Sequence, residues 1–401
     1  KPDQKPTAIR GFTVSKKTLE VIRDGHPWVL PDRETSSPKD YEVGELVRLE
    51  SPQGSPGPYA LVDGFDEVAA RVWSDDLECA QQFDEEVALR VDEAFANRAK
   101  LFRELDRTEL FRVVHGEADG LPGLYVDRVG PLYRSTIVGS SAQPLREAVY
   151  QAIEDLEPDA MILEVAHMSD VRQQDELPQA RIVRHGAHYA KPGDRVIAHE
   201  DGLRYWCEPW EGIDTGFFAD QRENRRRAVA LAGSHKRWLN LFCHTGAYSV
   251  ALVAAGAEVV SVDISKRYLD WLDDNLALNE LDSTQNSNAA EDARTFVASD
   301  ETKYDGIIVD PPTAARSDAG FWSVRKDYEA LLADCFRHLN PGGVMLVCRN
   351  ARKRTPTLES LIRSAAKAAK AKISSIDPAP PAPDYPTVDG FPEGDSFEGL
   401  W

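Results

Sequence analysis

Hydrophobic and polar residues follow different spacings along this chain, and the changes of spacing divide it into three parts. In residues 1–76, short apolar runs are separated by turns rich in glycine and proline, which predicts a small β-rich module. In residues 77–200, a helical pattern at 83–105, free of glycine and proline, precedes strand-like runs around one further helix. The middle part is therefore predicted to be a small α+β domain.

The third part, residues 201–401, alternates apolar strands with helices. The predicted strands are 204–208, 238–242, 259–262, 304–309 and 344–348, and the predicted helices are 248–255, 267–279 and 327–339. Such alternation predicts an α/β fold with a doubly wound, mostly parallel sheet that helices cover on both faces. The tail beyond Ile376, rich in proline and acids, is predicted either to hug the surface or to be poorly ordered.

The charge balance argues against a simple nucleic-acid binder. The chain has 67 acidic and 47 basic residues and a net charge of −20, whereas proteins that bind nucleic acids usually present a basic surface. One segment differs, because eight basic residues between Arg349 and Lys372 are accompanied by a single acid, Glu359. This basic run is either a local phosphate-binding patch or the solvated face of a helix.

Five scattered cysteines without a Cys-x-x-Cys pair favour a reducing compartment over a disulfide framework, and they predict no zinc or other metal site. No apolar run approaches the ~18 residues of a membrane-spanning helix, and no secretory signal is visible. These features predict a cytoplasmic protein.

Ligands of open parallel sheets bind beyond the carboxyl ends of the strands, so the residues at the predicted strand ends are candidates for a binding site. The strand 238–242 runs into a tight loop in which Gly246 allows close approach of the backbone to a ligand. Asp263, at the end of the next strand, suits the two hydroxyls of a ribose, or it caps a helix. Because the first loop lacks the GxGxxG pattern that suits a pyrophosphate, S-adenosylmethionine fits better than a nicotinamide dinucleotide.

The third strand end carries Asp310, followed by Pro311 and Pro312. The prolines fix the backbone, so the carboxylate and the neighbouring carbonyls can point into the cleft and hold a planar base. The alternative is a plain break between strand and loop. Asp292 stands where an acid could meet an adenine amino group, or it caps the following helix.

These segments, in this order, resemble the bacterial large-subunit (23S) rRNA methyltransferases. Members of that family combine a PUA-like domain, a small α+β domain and a Rossmann-like methyltransferase domain, which here correspond to residues 1–76, 77–200 and 201–401. The matching strings are 25–29, 116–127, 215–222, 240–246, 263–265 and 310–312. The string 116–127 reads GEADGLPGLYVD and 215–222 reads TGFFADQR, and both are specific.

The resemblance implies S-adenosylmethionine as the cofactor, bound in the last domain. The residues expected to bind it are Phe218, Asp220, Arg222, Asn240, Phe242, Cys243, Thr245, Gly246, Asp263, Ile264, Asp292, Asp310 and Pro311. The resemblance also implies 23S rRNA as the substrate, contact between RNA and the PUA-like domain, and the formation of homodimers.

Which atom of the base can receive the methyl group depends on whether the enzyme has a nucleophilic cysteine. Methylation of cytosine at C5 needs a thiolate that adds to C6, which makes C5 nucleophilic. Aligned from the two glycines at 342 and 343, the cysteine position of cytosine-type members falls on Asn350, two residues after Cys348. The same stretch looks more like members that methylate a guanine ring nitrogen, where a lone pair makes covalent help unnecessary. The catalytic candidates are Asp310, Cys348 and Asn350, and the alternative for Cys348 is a small buried hydrophobe.

Two other functions stay open at this point. The acidic charge and tail favour a methyltransferase that acts on a small molecule or on a non-ribosomal RNA. A non-catalytic RNA-binding factor that has kept the fold is the third hypothesis.

Overall fold

The computed structural model describes residues 9–64, 67–102, 108–167, 178–187, 190–212, 214–317, 320–351, 355–394 and 396–401. Its chain divides into two units. The first contains the described residues up to Val196 together with Glu208–Thr215 and Asp384–Gly394. The second contains Ile197–Cys207, Gly216–Pro383 and residues 396–401.

The first sheet of the first unit lies within residues 1–76. Its strands are β1 (Arg10–Thr13), β2 (Trp28–Val29), β3 (Leu46–Glu50), β4 (Pro56–Val62) and β5 (Ala70–Ser74). They are ordered β1-β3-β4-β5-β2. Helix α1 (Lys16–Arg23) starts after Ser15, whose hydroxyl accepts a hydrogen bond from the Thr18 amide. Buried side chains such as Phe12, Val47 and Leu49 form the core of this sheet.

The second sheet of this unit is built from residues 77–200. Its elements are α2 (Leu77–Gln81), α3 (Phe83–Phe102), β6 (Leu110–His115), β7 (Leu124–Val129), β8 (Leu132–Val138), α4 (Arg146–Leu156), β9 (Met161–His167) and β10 (Arg181–Arg184). The strands are ordered β10-β9-β8-β7-β6, and only β8 and β9 run parallel. Apolar side chains of α3 and α4, among them Val87 and Val149, pack into its core.

The string GEADGLPGLYVD is held by three ion pairs of the first unit, two of them buried and one partly buried. Its three acids, Glu117, Asp119 and Asp127, bind Arg71, Arg98 and Arg112 at 2.5, 2.6 and 2.6 Å. Glu117 also accepts hydrogen bonds from the Trp28 indole N–H at 2.7 Å and from the Tyr125 hydroxyl at 3.3 Å. The string therefore has a structural role, because each acid fixes an arginine from another element.

Part of the acidic tail packs into the first unit. Asp384 is fully buried, and its carboxylate accepts a hydrogen bond from the Arg112 amide at 2.9 Å. Phe391 packs edge-on against Trp28, and Glu393 lies 3.0 Å from His26. This stretch is therefore ordered, and the alternative of a poorly ordered tail is wrong for residues 384–394.

The second unit begins with a hairpin and continues as alternating helices and strands. The elements are β11 (Val196–Glu200), β12 (Leu203–Cys207), α5 (Arg222–Ala232), β13 (Arg237–Leu241), α6 (Ala247–Ala254), β14 (Glu258–Asp263), α7 (Lys266–Leu278), β15 (Asn286–Ala290), α8 (Ala293–Ser299), β16 (Tyr304–Val309), β17 (Ala314–Ser317), β18 (Gly320–Ser323), α9 (Val324–His338), β19 (Leu339–Asn350), α10 (Leu358–Ala368) and β20 (Phe397–Leu400). Among the described residues, no helix is both long and apolar enough to cross a membrane.

The six-stranded sheet of this unit confirms the predicted fold class. Its order is β15-β14-β13-β16-β19-β20, and all neighbours are parallel except β19 and β20. The chain proceeds outward from β13 to β15 and then returns to β16 on the other side of β13. The strand order therefore reverses between β13 and β16, and a crevice forms at the carboxyl ends of those two strands.

Replacing Arg71 with methionine is expected to lower the free energy of unfolding by about 3–5 kcal/mol, because it leaves two buried carboxylates without their cation. Asp63 and Glu117 are the two carboxylates, and their side chains are almost inaccessible to solvent. Urea denaturation followed by tryptophan fluorescence measures the change.

Arg10→Met is the matched control, because Arg10 pairs with Glu45 at the surface of the same sheet. This variant should lower the free energy of unfolding by less than about 1 kcal/mol. Equal losses in the two variants would contradict a stabilising role for the buried pairs.

Candidate active site

The register of the parallel strands brings the central site residues to one edge of the sheet. Leu241, the last residue of β13, is aligned with the penultimate residue of β14 on one side and with the last residue of β16 on the other. Phe242, Asp263 and Asp310 therefore follow one another along the edge, as the strand-end prediction requires.

The flanking strands extend this row. Asp263 is aligned with Ala290, the last residue of β15, and Asp292 follows two residues later. On the other flank, the last residue of β16 is aligned with Val347 of β19, directly before Cys348. Asn350 ends β19 at the same edge, where its carbonyl accepts a hydrogen bond from the Thr313 hydroxyl at 3.3 Å.

The loop between β13 and α6 has an uncommon backbone conformation. Phe242, His244 and Gly246 have φ angles of 58°, 51° and 79°, all in the left-handed region. The Cys243 amide donates to the Val262 carbonyl at 3.1 Å, and the Gly246 amide donates to the Cys243 carbonyl at 2.9 Å. Residues with side chains are held in this region at a cost of about 1–3 kcal/mol each, which is typical of ligand-binding loops.

Gly246 is required by packing inside the unit. A Cβ atom at this position would lie 2.1 Å from Cδ1 of Leu272 in α7, and its φ angle is already in the left-handed region. The sequence pattern suggests close approach of the ligand as the reason for this glycine, whereas the structure shows that it lets the loop lie against α7.

Asp263 is held by the backbone on both of its carboxylate oxygens. The His244 amide donates to Oδ2 at 3.0 Å, and the Ser265 amide donates to Oδ1 at 2.8 Å. The cap of α7 is Ser265, whose hydroxyl accepts from the Tyr268 amide, so the N-cap alternative for Asp263 is wrong. Each carboxylate oxygen has a further lone pair, so a fixed Asp263 can still accept hydrogen bonds from ligand hydroxyls.

Asp292 caps α8, as one of its two predicted roles states. Its carboxylate accepts from the Arg294 amide at 2.9 Å and binds the Arg294 guanidinium at 3.0 and 2.8 Å. These contacts account for its position, and its contact with an adenine stays a prediction.

The Asp310 carboxylate is half-buried at the crevice. It forms no hydrogen bond or ion pair with any residue in the described part of the chain. Burial, and then the nearby charge of Asp220, raise the pKa of Asp310 to about 7, against the opposing effect of Arg225. A carboxylate that is left without a partner at such a position is available for a ligand.

Cys348 is fully buried in β19. The Tyr328 hydroxyl donates to its backbone carbonyl. Burial raises the pKa of the Cys348 thiol well above its ordinary value, and the charges of Asp310 and Asp220 raise it further. Because the nucleophile in covalent catalysis is the thiolate, this environment suppresses the reactive form.

The segment TGFFADQR lies against the β13–α6 loop. The Thr245 hydroxyl donates to the Gly216 carbonyl at 2.5 Å, and the Phe218 ring lies 5.1 Å from the His244 ring. Phe218 is 48% exposed although it is a large apolar side chain. Arg222, by contrast, is fully buried at the start of α5.

A buried ion pair that has no signature in the sequence holds this segment. Arg225 binds Glu200 through two hydrogen bonds of 2.6 and 2.7 Å and donates to the Phe218 carbonyl at 2.8 Å. Both side chains are almost completely buried. No linear motif joins residues 25 positions apart in a hairpin and a helix, so only the fold reveals the pair.

Two further aromatic side chains complete the edge. The Tyr268 ring lies 4.2 Å from the His244 ring, and the Trp322 ring lies 5.2 Å from the Phe242 ring. Trp322 comes from the β17–β18 hairpin, and its indole N–H donates to the Pro312 carbonyl at 2.9 Å. In the sequence, only the presence of aromatic residues at these two positions indicates that they line the crevice.

The other predicted residues divide into exposed and buried ones. Ile264 is 48% exposed beside Asp263, whereas Pro311 and Cys243 are buried. The Asp220 carbonyl accepts from the Ala382 amide at 2.7 Å. Burial raises the pKa of the Cys243 thiol well above its ordinary value, and the Asp263 charge adds to this effect.

Asn240 lies inside the sheet rather than in the crevice. Its amide nitrogen donates to the Ser249 hydroxyl at 2.9 Å, and a chain of hydrogen bonds continues to Ser261 and Asn286 at 2.7 Å each. This buried polar chain satisfies all four side chains and ties α6 to the strands. Direct contact between the Asn240 side chain and a cofactor stays a prediction.

Comparison with known proteins identifies the family. Residues 189–394 match the family of S-adenosylmethionine-dependent methyltransferases. The chain is 30% identical to ribosomal RNA large subunit methyltransferase I of Aeromonas salmonicida, over 97% of this chain and 98% of that protein. The chain belongs to the S-adenosylmethionine-dependent methyltransferases. A ribosomal RNA large subunit methyltransferase of Deinococcus radiodurans is 32% identical to this methyltransferase over 88% of each chain. These relatives confirm the resemblance that the sequence motifs indicate.

Solved structures show that the fold extends over nearly the whole methyltransferase. SMU.776, solved in complex with SAH, has a TM-score of 0.79 at 19% identity and covers 98% of this chain and 99% of its own. A second structure, from Streptococcus mutans, has a TM-score of 0.77 at the same identity and coverage.

The residues of the crevice fit S-adenosylmethionine. A fixed carboxylate at Asp263 suits the ribose diol, and a cofactor without phosphates does not need a glycine-rich loop. Exposed apolar surface at Phe218 and Ile264 suits the adenosine and methionine parts.

Replacing Gly246 with alanine is expected to destabilise the methyltransferase by about 1–3 kcal/mol beyond backbone strain, because the new methyl group overlaps Leu272. We also expect the affinity for S-adenosylmethionine to fall about tenfold or more. The displaced loop carries His244, whose amide holds the Asp263 carboxylate. Thermal unfolding and isothermal titration calorimetry measure the two effects.

Gly256→Ala is the matched control. Gly256 has a φ angle of 84°, yet an added Cβ atom would meet nothing within 4 Å. This variant should show backbone strain alone and unchanged cofactor affinity. If Gly246→Ala behaves like the control, the overlap with Leu272 is not a constraint on the site.

Proposed function

We propose that this methyltransferase transfers the methyl group directly to a nitrogen of a base in large-subunit ribosomal RNA, without a covalent cysteine intermediate. The names of the relatives from Aeromonas salmonicida and Deinococcus radiodurans support the RNA substrate. The observation that carries the proposal is the Asp310 carboxylate, which has no partner among the described residues and lies next to the β13–α6 loop.

Asp310 suits the edge of a nucleobase. A carboxylate is an acceptor only, so it selects N–H groups such as those of guanine, and its hydrogen bonds are strongest when it is ionised. S-adenosylmethionine supplies a methyl group on a positively charged sulfur. The remaining task of the protein is to align the base with that group, which position and orientation alone can accomplish.

The environment of Cys348 argues against cytosine C5 as the target. Attack on C6 requires a thiolate that can reach the base, but Cys348 is fully buried and two acidic residues raise the pKa of its thiol. Asn350, at the position of the cysteine in cytosine-type members, has no nucleophilic group. Direct transfer to nitrogen avoids this obstacle.

We assign the cofactor contacts in the same way. Asp263 is proposed to accept hydrogen bonds from the ribose hydroxyls, with Ile264 and the ring of Phe218 beside the ligand. Contact between RNA and the first 76 residues, the homodimer and a cytoplasmic location stay predictions that come from the sequence.

We expect ribosomal RNA from a strain that lacks the gene to gain one nitrogen-methylated nucleoside when it is incubated with the enzyme and S-adenosylmethionine. Mass spectrometry of the digested RNA identifies the product. The Cys348→Ala variant should keep the rate within about threefold, because the buried thiol is not used as a nucleophile.

Cys335→Ala is the control, since Cys335 is also fully buried in the same unit but lies in α9. Loss of activity in Cys348→Ala alone, or 5-methylcytosine as the product, would contradict direct transfer to nitrogen. Transfer to small phenols or amines but not to RNA would show that the substrate class is wrong.

The Asp310→Asn variant is expected to change the pH dependence of the reaction. With a pKa of about 7, Asp310 is ionised above neutral pH, so kcat/KM of the wild type should rise between about pH 6 and pH 8. The variant should have a lower kcat/KM and lack this rise. Initial rates of methyl transfer at several pH values measure both quantities.

Asp305→Asn serves as the comparison, because Asp305 lies near the opposite end of β16 and accepts backbone hydrogen bonds from Lys236 and Arg237. The pH dependence of kcat/KM in this variant should follow that of the wild type. A rise that persists in Asp310→Asn would assign the titration to another group.

A further inference from the structure

A large cavity of the methyltransferase lies along β19. It has a volume of about 810 Å³ and is bounded by β19 from Leu339 to Val347, the ends of α9 and α10, the segment 369–377 and the end of the chain. We call it the β19 cleft. Leu339 is aligned with Tyr304 of β16 and Val347 with Val309, so the lined stretch of β19 covers about 17 Å along the sheet and ends beside the Asp310 edge.

The walls of the β19 cleft combine apolar and polar surface in about equal parts and include two aromatic side chains. Phe336 and Trp401 line it together with aliphatic residues such as Met345, Ile373 and Ile376. Arg227 lies over the Trp401 ring at 5.2 Å, and the Trp401 indole N–H donates to the Asn224 side chain at 3.2 Å. An unstacked nucleobase is a flat ligand that suits such walls.

The rim of the cleft reverses the charge balance of the chain. Five basic residues line it, Arg227, Lys303, Arg337, Lys370 and Lys372, and Asp377 is the single acidic residue among the lining residues. In the whole chain, 67 acids outnumber 47 basic residues. Such a local excess of cations in an acidic protein attracts a polyanion to this place rather than elsewhere.

Two of these cations are available to a ligand. Lys370 and Lys372 are exposed, and neither forms an ion pair or hydrogen bond through its side chain with any residue that the structure describes. The other three already have contacts: Arg227 binds Asp377 at 2.7 Å, Arg337 binds Asp334, and Lys303 donates to the Arg337 carbonyl. The two lysines belong to the basic run of the sequence, whereas Arg352, Lys353 and Arg354 of that run lie outside the described residues.

We propose that the β19 cleft is an accessory binding site for the substrate RNA, in which one unstacked nucleotide enters the cleft beside its aromatic side chains while Lys370 and Lys372 contact its flanking phosphates. This inference rests on the proposed function, because it takes RNA to be the substrate. It explains how a chain with a net charge of −20 can hold a polyanion, because the cleft supplies a local group of cations.

The Lys370→Glu/Lys372→Glu double variant tests the proposal on the full-length enzyme. With unmodified 23S RNA made by in vitro transcription, we expect KM for RNA to rise about tenfold, with kcat and the affinity for S-adenosylmethionine unchanged. The slope of log K for RNA binding against log salt concentration, measured by fluorescence anisotropy, should decrease by about 0.7 for each phosphate that the variant no longer neutralises.

Lys367→Glu is the control for the charge reversals at positions 370 and 372. Lys367 is an exposed lysine about one helical turn before Lys370, and it does not line the cleft. It should leave KM nearly unchanged. Ala371→Trp fills the cleft without changing the charge and should also raise KM, which a purely long-range electrostatic effect would not predict.

An unchanged KM in the double variant, an equal effect of Lys367→Glu, or an unaffected Ala371→Trp would each overturn the accessory site. So would binding of the mononucleotide UMP in the cleft while RNA affinity stays the same in the variants, since that result indicates a small-molecule site. The wild type in the same assay separates the two proposals: if it transfers no methyl group to RNA, the proposed function fails, whereas the anisotropy data still test RNA binding at the cleft.

Discussion

The parallel pairing of β13 with both β14 and β16 is the constraint on which the candidate active site depends. It aligns the last residues of three strands, so that Phe242, Asp263 and Asp310 become neighbours although they lie up to 68 positions apart in the sequence. Side chains alternate between the two faces of a strand, so a slip of one residue would exchange the faces and separate these groups. The buried polar chain from Asn240 to Asn286 adds specificity to this register, because its hydrogen bonds form only when the strands are correctly aligned.

The two units use buried charge in opposite ways. In the first unit, each acid of the string GEADGLPGLYVD has an arginine partner, which satisfies the buried charges and fixes the elements that carry them. In the second unit, Arg225 is paired in the same manner with Glu200, but Asp310 has no such partner among the described residues. Burial without a partner raises the pKa of Asp310 to about 7, and this cost is tolerated because the surrounding strands are held by other contacts. The contrast distinguishes a structural carboxylate from one that is available to a ligand.

The fold and the shared edge of the central candidate residues follow from local sequence patterns, whereas the contacts around them do not. Apolar runs bounded by polar residues predict β13, β14 and β16 to within one residue, and the rule for parallel sheets then predicts that Asp263 and Asp310 meet at one edge. The strand β20 is not predicted, because it pairs with β19 elsewhere in the chain. The strand β8 and the β17–β18 hairpin are also not predicted, although their pairing partners are close in the sequence. Gly246 is predicted as a site residue, but only the position of Leu272 shows why a side chain is excluded there. Likewise, no periodicity reveals that Glu200 and Arg225 hold the Phe218 segment.

The distribution of charge limits how an RNA can approach this enzyme. Asp220, Asp263 and Asp310 lie around the crevice, so phosphates close to it would be repelled, while a neutral base would not be. A base that enters the crevice must therefore project from its backbone, as in enzymes that act on unstacked nucleotides. Attraction of the backbone then has to come from cations located elsewhere, and the rim of the β19 cleft provides a concentration of them. Separation of the acidic crevice from the basic cleft thus favours a substrate that is long and locally unpaired, which describes a folded RNA better than a small molecule.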